Sequence, residues 1–425
     1  MKKYLTVVLA VLTAAAVAML CALCLTTEPS PRFSDVRRGD PYREYILDLV
    51  DEGIMSGRED GTFGVKENVS RREVMELLLK VTGVDVRTLA EDAVAHKLVY
   101  RFEETGLEDP AIRLETAQMA ARAMDLLSLS GESSYEDCDD GYVVKLREKG
   151  VWDCGDTFRP DDPVTRGELA ELLWNMERVD VTVGAFRYNG YWVDPLEGVP
   201  LNQYDQSQFG WGGDGLEYSG MGYDVIQGID VSRYQGEIDW EQVRDVGIEF
   251  AIVRVGGRFI NSGGLYDDRL YRENIEGALE AGLDVGVYFF SQAVSEEEGI
   301  EEAEYVLSLI KGYDLTMPVV MDWEPLGGVE ARTYGVEPKE ITRAIRGFCD
   351  RIRAAGYEPM LYFNSHSAYA RMDLRELTDI KFWFAQYNDI PTFYYHFDMW
   401  QYSDQGMVDG IDGAVDLNLY FRPRT

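Results

Sequence analysis

Residues 318–324 read Pro-Val-Val-Met-Asp-Trp-Glu, a short apolar run that ends in two carboxylates. An apolar run of this length, bounded by polar segments, is typical of a buried β-strand. Side chains alternate along a strand, so Asp322 and Glu324 point to one side and Trp323 to the other. The segment therefore predicts a strand that delivers a pair of acids to one end of a sheet.

Similar apolar runs alternate with helical patterns throughout residues 228–425, which is the signature of parallel strands joined by crossover helices. We expect an α/β fold, an irregular (β/α)8-type barrel of the TIM-barrel kind, because the later connections are too short for full helices. The predicted strands lie at residues 226–231, 250–255, 284–290, 318–324, 359–363, 382–386, 397–402 and 415–420. The predicted helices lie at residues 240–246, 268–281, 295–310 and 338–355.

Acidic residues fall where such a barrel places its functional groups, at the C-terminal ends of strands. Asp230 ends the first strand, and Asp416 lies in the last strand, which pairs beside the first when the barrel closes. Each acid alone is equally compatible with a solvated strand end. Four acids around one cavity, however, raise one another's pKa, so that one stays protonated and can donate a proton. Glycoside hydrolysis needs such a donor beside a second carboxylate.

Aromatic side chains near the same strand ends offer stacking faces and hydroxyl groups to sugar rings. Plain barrel packing is the alternative for Tyr288 and Tyr362. The predicted substrate-binding aromatic residues are Tyr234, Tyr288, Tyr362, Trp383 and Trp400.

Four spaced motifs between Gly228 and Tyr420 resemble those of glycoside hydrolase family 25 lysozymes, the Chalaropsis-type muramidases. They are Gly228-Ile229-Asp230-Val231-Ser232, Met321-Asp322-Trp323-Glu324-Pro325, Phe382-Trp383-Phe384-Ala385-Gln386-Tyr387, and Trp400-Gln401-Tyr402 followed by Val415-Asp416-Leu417-Asn418. The third motif adds Gln386 to the predicted substrate-binding residues.

The resemblance implies cleavage of the β-1,4 bond between N-acetylmuramic acid and N-acetylglucosamine in peptidoglycan glycan strands, without a metal or organic cofactor. It implies that Glu324 is the proton donor and that Asp322 assists as nucleophile or by orienting the substrate's acetamido group. Asp230 and Asp416 would position substrate and tune Glu324. A non-catalytic wall-binding protein, or a hydrolase of a related β-1,4-linked amino-sugar glycan, is the alternative.

A repeated pattern occupies residues 33–176. In two copies a Gly/Asp-rich loop leads to a helix start, Val69-Ser70-Arg71-Arg72-Glu73 and Val164-Thr165-Arg166-Gly167-Glu168. The hydroxyl residue followed by Glu three positions later predicts a capping box at each start. A weaker middle copy contains Ile112-Arg113-Leu114-Glu115.

These copies resemble the S-layer homology module, a mainly α-helical repeat that binds cell-wall polysaccharide. The resemblance implies polymer contacts at Arg71, Glu73, Arg166 and Glu168, and an Arg at a helix N-terminus suits an anionic sugar substituent. Capping and support of the repeat is the alternative role for these residues.

The composition and net charge of the chain exclude some classes of binding partner. The chain has 425 residues, of which 46% are hydrophobic, so ordered globular domains are expected. A formal net charge of −35 argues against nucleic acid, which needs clustered cations on its partner. The three histidines share no metal-ligand spacing, so no metal site is expected.

The N-terminal region has the layout of an export signal, because Lys2 and Lys3 precede an uncharged run over residues 4–25. At about 1.5 Å per residue the run is also long enough to cross a bilayer as an uncleaved anchor. We therefore expect an extracellular protein, associated with the cell wall or cell surface. The expected organisation is a signal peptide or membrane anchor (1–27), repeats (33–176), a linker (177–227) and a catalytic barrel (228–425).

Overall fold

The computed structural model describes residues 32–127, 135–212, 215–326 and 328–424. The signal or anchor expected in residues 1–27 lies outside this part. Within it, no helix combines the length and apolarity that a bilayer crossing requires. The chain forms two compact units. The first takes residues up to Met124, Lys149–Cys154 and Phe158–Val179, and the second takes Asp125–Glu148, Gly155–Thr157 and Asp180–Thr425.

The helices and the strands are numbered separately in chain order. The helices are α1 (Arg43–Asp51), α2 (Arg71–Val81), α3 (Leu89–Ala95), α4 (Arg113–Ala123), α5 (Gly141–Glu148), α6 (Arg166–Arg178), α7 (Trp240–Asp245), α8 (Tyr271–Glu280), α9 (Glu296–Leu309), α10 (Pro338–Ala354) and α11 (Ser365–Ala370). The strands are β1 (Phe186–Tyr188), β2 (Tyr191–Val193), β3 (Phe209–Trp211), β4 (Leu216–Tyr218), β5 (Tyr223–Val231), β6 (Phe250–Arg258), β7 (Leu265–Asp267), β8 (Asp284–Ser291), β9 (Val319–Trp323), β10 (Pro359–Asn364), β11 (Lys381–Ala385), β12 (Met399–Gly406) and β13 (Val415–Pro423).

Eight strands of the second unit close into a barrel in the order β5-β13-β12-β11-β10-β9-β8-β6, with β5 pairing β6. The eight predicted strands and the four predicted helices are confirmed to within a few residues at most ends. The last strand departs from the expected parallel arrangement, because β13 is antiparallel to both β12 and β5. The connection over residues 407–414 is too short for a crossover helix, so the chain turns straight back.

This reversal decides where Asp416 lies. In a parallel strand the C-terminal end reaches the functional mouth of the barrel, but in β13 the N-terminal end does. Asp416 sits at that end and pairs directly with Asp230 on β5. The short connection therefore brings the two acids side by side.

Apolar side chains fill the barrel below this mouth. Residues of alternating position point inward and form one buried cluster that includes Ile226, Phe250, Ile252 and Val320. Gly228 leaves room for the Phe250 ring, since a Cβ there would lie 2.4 Å from it. A second, larger cluster lies between the strands and the surrounding helices and includes Cys349, which is completely buried in α10.

The segment expected as a linker contributes to the core of the second unit. It forms the hairpins β1–β2 and β3–β4, and buries Val193, Val199 and Leu216 against the barrel side. The Tyr204 hydroxyl donates to the Phe397 carbonyl at 2.6 Å. Residues 125–148 of the predicted repeat region also fall in the second unit. The compact units and the proposed sequence segments thus have different limits.

Candidate active site

The four predicted acids line one cavity of about 840 Å³ at the mouth of the barrel. Asp230 lies near the end of β5, Asp322 on β9, Glu324 just after β9, and Asp416 at the start of β13. Positions 322 and 324 share one parity, as predicted. Trp323 points the other way, is completely buried, and donates its ring N–H to the Ala293 carbonyl at 3.0 Å.

Asp230 is held by two side-chain amides that the sequence-based site prediction did not include. The Gln401 and Asn418 NH₂ groups each donate to Asp230 Oδ2 at 2.8 Å. The Trp383 ring N–H donates to Asn418 Oδ1 at 2.9 Å and so orients that amide. One carboxylate oxygen of Asp230 is therefore fixed, and its position depends on three other barrel strands.

Two tyrosines complete this network. The hydroxyl groups of Tyr362 and Tyr387 donate to Gln401 Oε1 at 2.9 and 3.1 Å. Burial raises the pKa of Tyr362 far above its ordinary range, and the negative charges of Glu324 and Asp322 add to this. Tyr362 thus remains a neutral hydrogen-bond donor at the floor of the cavity.

The backbone of Glu324 is anchored separately. The Gln292 side-chain amide donates to the Glu324 carbonyl oxygen at 2.6 Å, and Gln292 is completely buried. Arg332 in turn donates to the Gln292 carbonyl oxygen at 2.6 Å. These bonds fix the chain from which the Glu324 side chain enters the cavity.

Burial raises the pKa of all four acids, and the charges of neighbouring carboxylates add to the shift. Burial raises the pKa of Asp230 to about 6, helped by the charge of Glu324 and opposed by the hydrogen bonds from Asn418 and Gln401. Burial raises the pKa of Asp416 to about 8, with the charges of Asp230 and Asp404 adding to it. The cavity therefore retains protons at pH values where isolated carboxylates are ionised.

Asp322 and Glu324 follow the same rule. Burial, together with the charge of Glu324, raises the pKa of Asp322 well above its ordinary range. Burial also raises the pKa of Glu324; the positive charge of Arg254 opposes this shift and the negative charge of Asp416 adds to it. One cation thus moderates both members of the Asp-x-Glu pair.

The predicted substrate-binding residues divide into two groups. Tyr234, Tyr288, Tyr362 and Trp383 line the cavity, and Tyr234 is 72% exposed at its rim. The prediction placed Gln386 and Trp400 there too, and the structure corrects both positions. Trp400 is completely buried in the outer core and donates its ring N–H to the Gln386 carbonyl at 2.9 Å. The Gln386 side chain instead bonds Thr392.

The error at Trp400 has a simple geometric cause. Gln401, not Trp400, has the inward parity on β12, so its neighbour must face outward. The cavity residues that the prediction missed include Arg254, Tyr387 and Gln401, and it also missed Asn418, which bonds Asp230. A polar residue at an inward position of an otherwise apolar strand was the available signal for Arg254, Gln401 and Asn418.

The predicted wall-polymer residues lie in the first unit, at two of three helix starts that bond to one another in a cycle. The Val69 N–H donates to the Val164 carbonyl at 3.0 Å, that of Val164 to Ala111 at 2.9 Å, and that of Ala111 to Val69 at 2.9 Å. The three starts are those of α2, α4 and α6, so the middle copy takes part on equal terms with the other two.

Ion pairs repeat the same cycle. Arg71 pairs with Glu115, Arg113 with Glu168 at 2.5 Å, and Arg166 with Glu73 at 2.8 Å. We call these six residues the arginine ring. Each arginine is the first residue of its helix, and each glutamate is the third residue of the next. The sequence prediction included four of the six and missed Arg113 and Glu115.

Burial differs among the three arginines. Arg113 is 1% exposed and Arg166 is 7% exposed, whereas the Arg71 side chain is 36% exposed. The predicted capping box is complete at Thr165–Glu168. At Ser70 only half of it forms: the Ser70 hydroxyl accepts from the Glu73 N–H, while the Glu73 carboxylate accepts from Arg166.

Fold and site together define the class of protein, a closed α/β barrel with a carboxylate cluster at its mouth. The model for glycosyl hydrolases family 25 matches residues 229–411, and the S-layer homology domain matches residues 32–75 and 155–170. The uncharacterized protein YegX of Escherichia coli K12 is 30% identical over 210 residues, covering 46% of this chain and 70% of that protein. The chain belongs to family 25 of the glycosyl hydrolases.

Other relatives match over part of their length. The autolytic lysozyme of Clostridium acetobutylicum is 28% identical over 200 residues, covering 46% of this chain and 56% of that protein. The structure of the modular autolysin LytC from Streptococcus pneumoniae, in complex with a synthetic peptidoglycan ligand, aligns with a TM-score of 0.43 and 23% identity, covering 57% of this chain and 53% of that one. The chain thus spans little more than half of these relatives.

Proposed function

We propose that this protein is a peptidoglycan hydrolase, an N-acetylmuramidase that cleaves the β-1,4 bond between N-acetylmuramic acid and N-acetylglucosamine. The observation that carries the proposal is the convergence of Asp230, Asp322, Glu324 and Asp416 on one cavity. Membership of family 25 and relatives named as lysozymes support it.

In this proposal Glu324 donates a proton to the leaving oxygen. Burial and the neighbouring charge of Asp416 raise its pKa and favour the protonated form before the reaction. As the glycosidic bond breaks, positive charge develops at the anomeric carbon, and a carboxylate beside it stabilises or attacks that centre. Asp322, two positions away on the same face, is assigned this role, directly or by orienting the acetamido group; burial and Glu324 raise its pKa, and the positive charge of Arg254 opposes that rise and favours the ionised form that the role needs.

Asp230 and Asp416 flank the pair. Asp230 is fixed by two amide donors, which suits a residue that positions substrate. Asp416 and Glu324 disfavour each other's ionised form, so the two neighbours together retain a proton. Tyr234, Tyr288, Tyr362 and Trp383 form the aromatic walls against which sugar rings would stack.

We further propose that the protein is extracellular, exported by the signal or anchor of residues 1–27, and attached to cell-wall polysaccharide by mainly helical S-layer homology repeats within residues 33–176. The match to the S-layer homology domain supports this. Of the residues first assigned to polymer contact, Arg71 is the arginine whose side chain is accessible. The burial of Arg166 and Glu168 favours a supporting role for both, and Glu73 is the carboxylate that pairs with Arg166.

Mass spectrometry of fragments released from defined peptidoglycan tests the proposal. The full chain should release fragments with muramic acid at the reducing end. Glu324→Gln should lower the rate by about 10²- to 10⁴-fold, the usual contribution of a general acid, with the fold unchanged by circular dichroism. An exposed substitution of the same type, Glu330→Gln, is the matched control. Fragments with N-acetylglucosamine at the reducing end, or full activity of Glu324→Gln, would refute the assignment.

A further inference from the structure

Arg254 is a cation in the wall of the acidic cavity. It lies on β6 at the same inward parity as Phe250 and Ile252, one step nearer the mouth. The strand β6 pairs with β5, which carries Asp230, and Arg254 itself is opposite Tyr288 on β8. Its guanidinium group therefore faces the space that the four acids share.

Arg254 has no carboxylate partner among the described residues, although four acids line the same cavity. Among the described residues, no carboxylate oxygen lies within the 4.0 Å that defines an ion pair with it. Its Nε–H is buried with no hydrogen-bond acceptor in that same part of the chain. One NH₂ group donates to the Tyr266 hydroxyl, and the guanidinium lies 5.0 Å from the centre of the Phe290 ring. A buried guanidinium donor without an acceptor is costly unless a ligand supplies one.

Nearby arginines are used differently. Arg258 lines the same cavity but is tied to Glu302 at 2.7 Å and to Glu301 at 2.7 Å. Arg233, at the rim, bonds the Tyr234 hydroxyl at 3.1 Å and stacks on that ring at 5.0 Å. Among the described arginines that line the cavity, Arg254 is therefore the one that has a buried N–H group without an acceptor.

A substrate carboxylate would otherwise meet four acids in this cavity and be repelled. We propose that Arg254 forms a carboxylate-binding subsite that makes the cavity select acidic amino sugars over neutral ones. This inference rests on the proposed glycan-hydrolysing function and deepens it. The carboxylate is that of the lactyl ether on muramic acid, or that of a peptide attached to it, since a guanidinium fork binds either in the same bidentate way.

Calorimetric binding to the full chain tests the subsite without requiring turnover. The probes are the disaccharide N-acetylglucosaminyl-N-acetylmuramic acid, its lactyl methyl ester, and the same disaccharide carrying a dipeptide on the lactyl group. The free acid should bind about tenfold to a hundredfold more tightly than the ester, the range of one charge-assisted hydrogen-bonded pair. Tighter binding of the dipeptide form than of the free acid would assign the carboxylate to the peptide.

Arg254→Gln should reduce the preference for acid over ester to less than about threefold, and Arg254→Lys should keep part of it because the charge remains. Arg233→Gln removes the same charge from the rim and should leave the preference within about threefold of the original value. Circular dichroism and the thermal midpoint confirm that each variant is folded.

The inference is overturned if the unaltered protein binds acid and ester equally or binds neither. It is also overturned if the preference survives in Arg254→Gln. The same holds if Arg233→Gln removes the preference to the same extent, since the preference would then arise from the overall positive charge near the cavity and not from a direct contact with Arg254. The proposed function fails on a separate result, the absence of muramic acid reducing ends from digested peptidoglycan. The two failures are thus distinguishable.

Discussion

The arginine ring and the barrel mouth use the same kinds of side chain in opposite ways. In the ring, each of three arginines has a glutamate partner on the next helix. In the mouth, four carboxylates share a cavity with Arg254, which has no ion-pair partner among the described residues. Each paired charge in the ring compensates its partner, whereas the crowded like charges of the mouth hold protons and destabilise the fold when they ionise. The difference separates a structural charge cluster from a candidate catalytic one.

The largest expected effect tests the ring. Arg113→Met leaves Glu168 without its buried partner and also removes the bond from Arg113 to the Phe158 carbonyl. We expect a loss of about 3–5 kcal/mol in the free energy of unfolding, as for other broken buried ion pairs. Calorimetric unfolding of the full chain measures it.

Arg71→Met is the matched control, because it breaks the equivalent pair where the side chain is 36% exposed. It should cost only about 0–1 kcal/mol. Equal losses in the two variants would contradict the role assigned to burial.

Much of the barrel and of its acidic site could be predicted from the sequence. The apolar runs located the eight strands, and strand alternation placed Asp322 and Glu324 on one face. The direction of the last strand was missed, because parallel and antiparallel strands share the same apolar pattern and only the short connection over residues 407–414 distinguishes them. The part of Arg113 in the ring was missed, because it depends on contacts between residues far apart in the chain.

The second prediction is a substitution in the mouth that stabilises the fold, whereas the first substitution destabilises it. The pKa of Asp416 is raised to about 8 from an ordinary 3.8, so the folded state binds more protons than the unfolded chain between about pH 4 and pH 8. The contribution of Asp416 to the unfolding free energy therefore falls as pH rises through this window. Asp416→Asn carries no charge and should be more stable than the unaltered protein at pH 8 by more than about 1.4 kcal/mol, the value of one pKa unit.

At pH 4 the two proteins should have nearly the same stability, because Asp416 is then protonated in the fold. Denaturant unfolding at both pH values measures the difference. A stability difference that does not change with pH would show that the pKa of Asp416 is not raised in the folded protein.

The third prediction concerns catalysis at the mouth. Asp416 raises the pKa of Glu324, and the pKa of Asp416 is itself raised, so the two acids share protons as an interacting pair. Asp416→Asn removes one member of that pair. Glu324 alone should then lose its proton earlier, and the alkaline limb of the kcat profile should move to lower pH. A pH series on soluble glycan fragments measures this limb. An unchanged limb, or one that moves to higher pH, would contradict the proposed coupling between the two residues.

The smallest expected effect concerns the support of Glu324. Gln292→Leu removes the bond from the Gln292 amide to the Glu324 carbonyl, worth about 0.5–1.5 kcal/mol, so kcat should fall by roughly twofold to tenfold with KM little changed. Gln405→Leu replaces an exposed glutamine of β12 and serves as the control. Equal effects of the two substitutions on kcat would remove Gln292 from the positioning of Glu324.

The titration of Glu324 tests the central claim most directly. Carbon-13 spectra of the full chain with labelled glutamate carboxyl groups, assigned by comparison with Glu324→Gln, report its protonation as pH changes. We predict a midpoint above the ordinary 4.5, because burial and the charge of Asp416 outweigh the opposing charge of Arg254. A midpoint at or below 4.5 would contradict the account, since Glu324 would then carry no proton to donate.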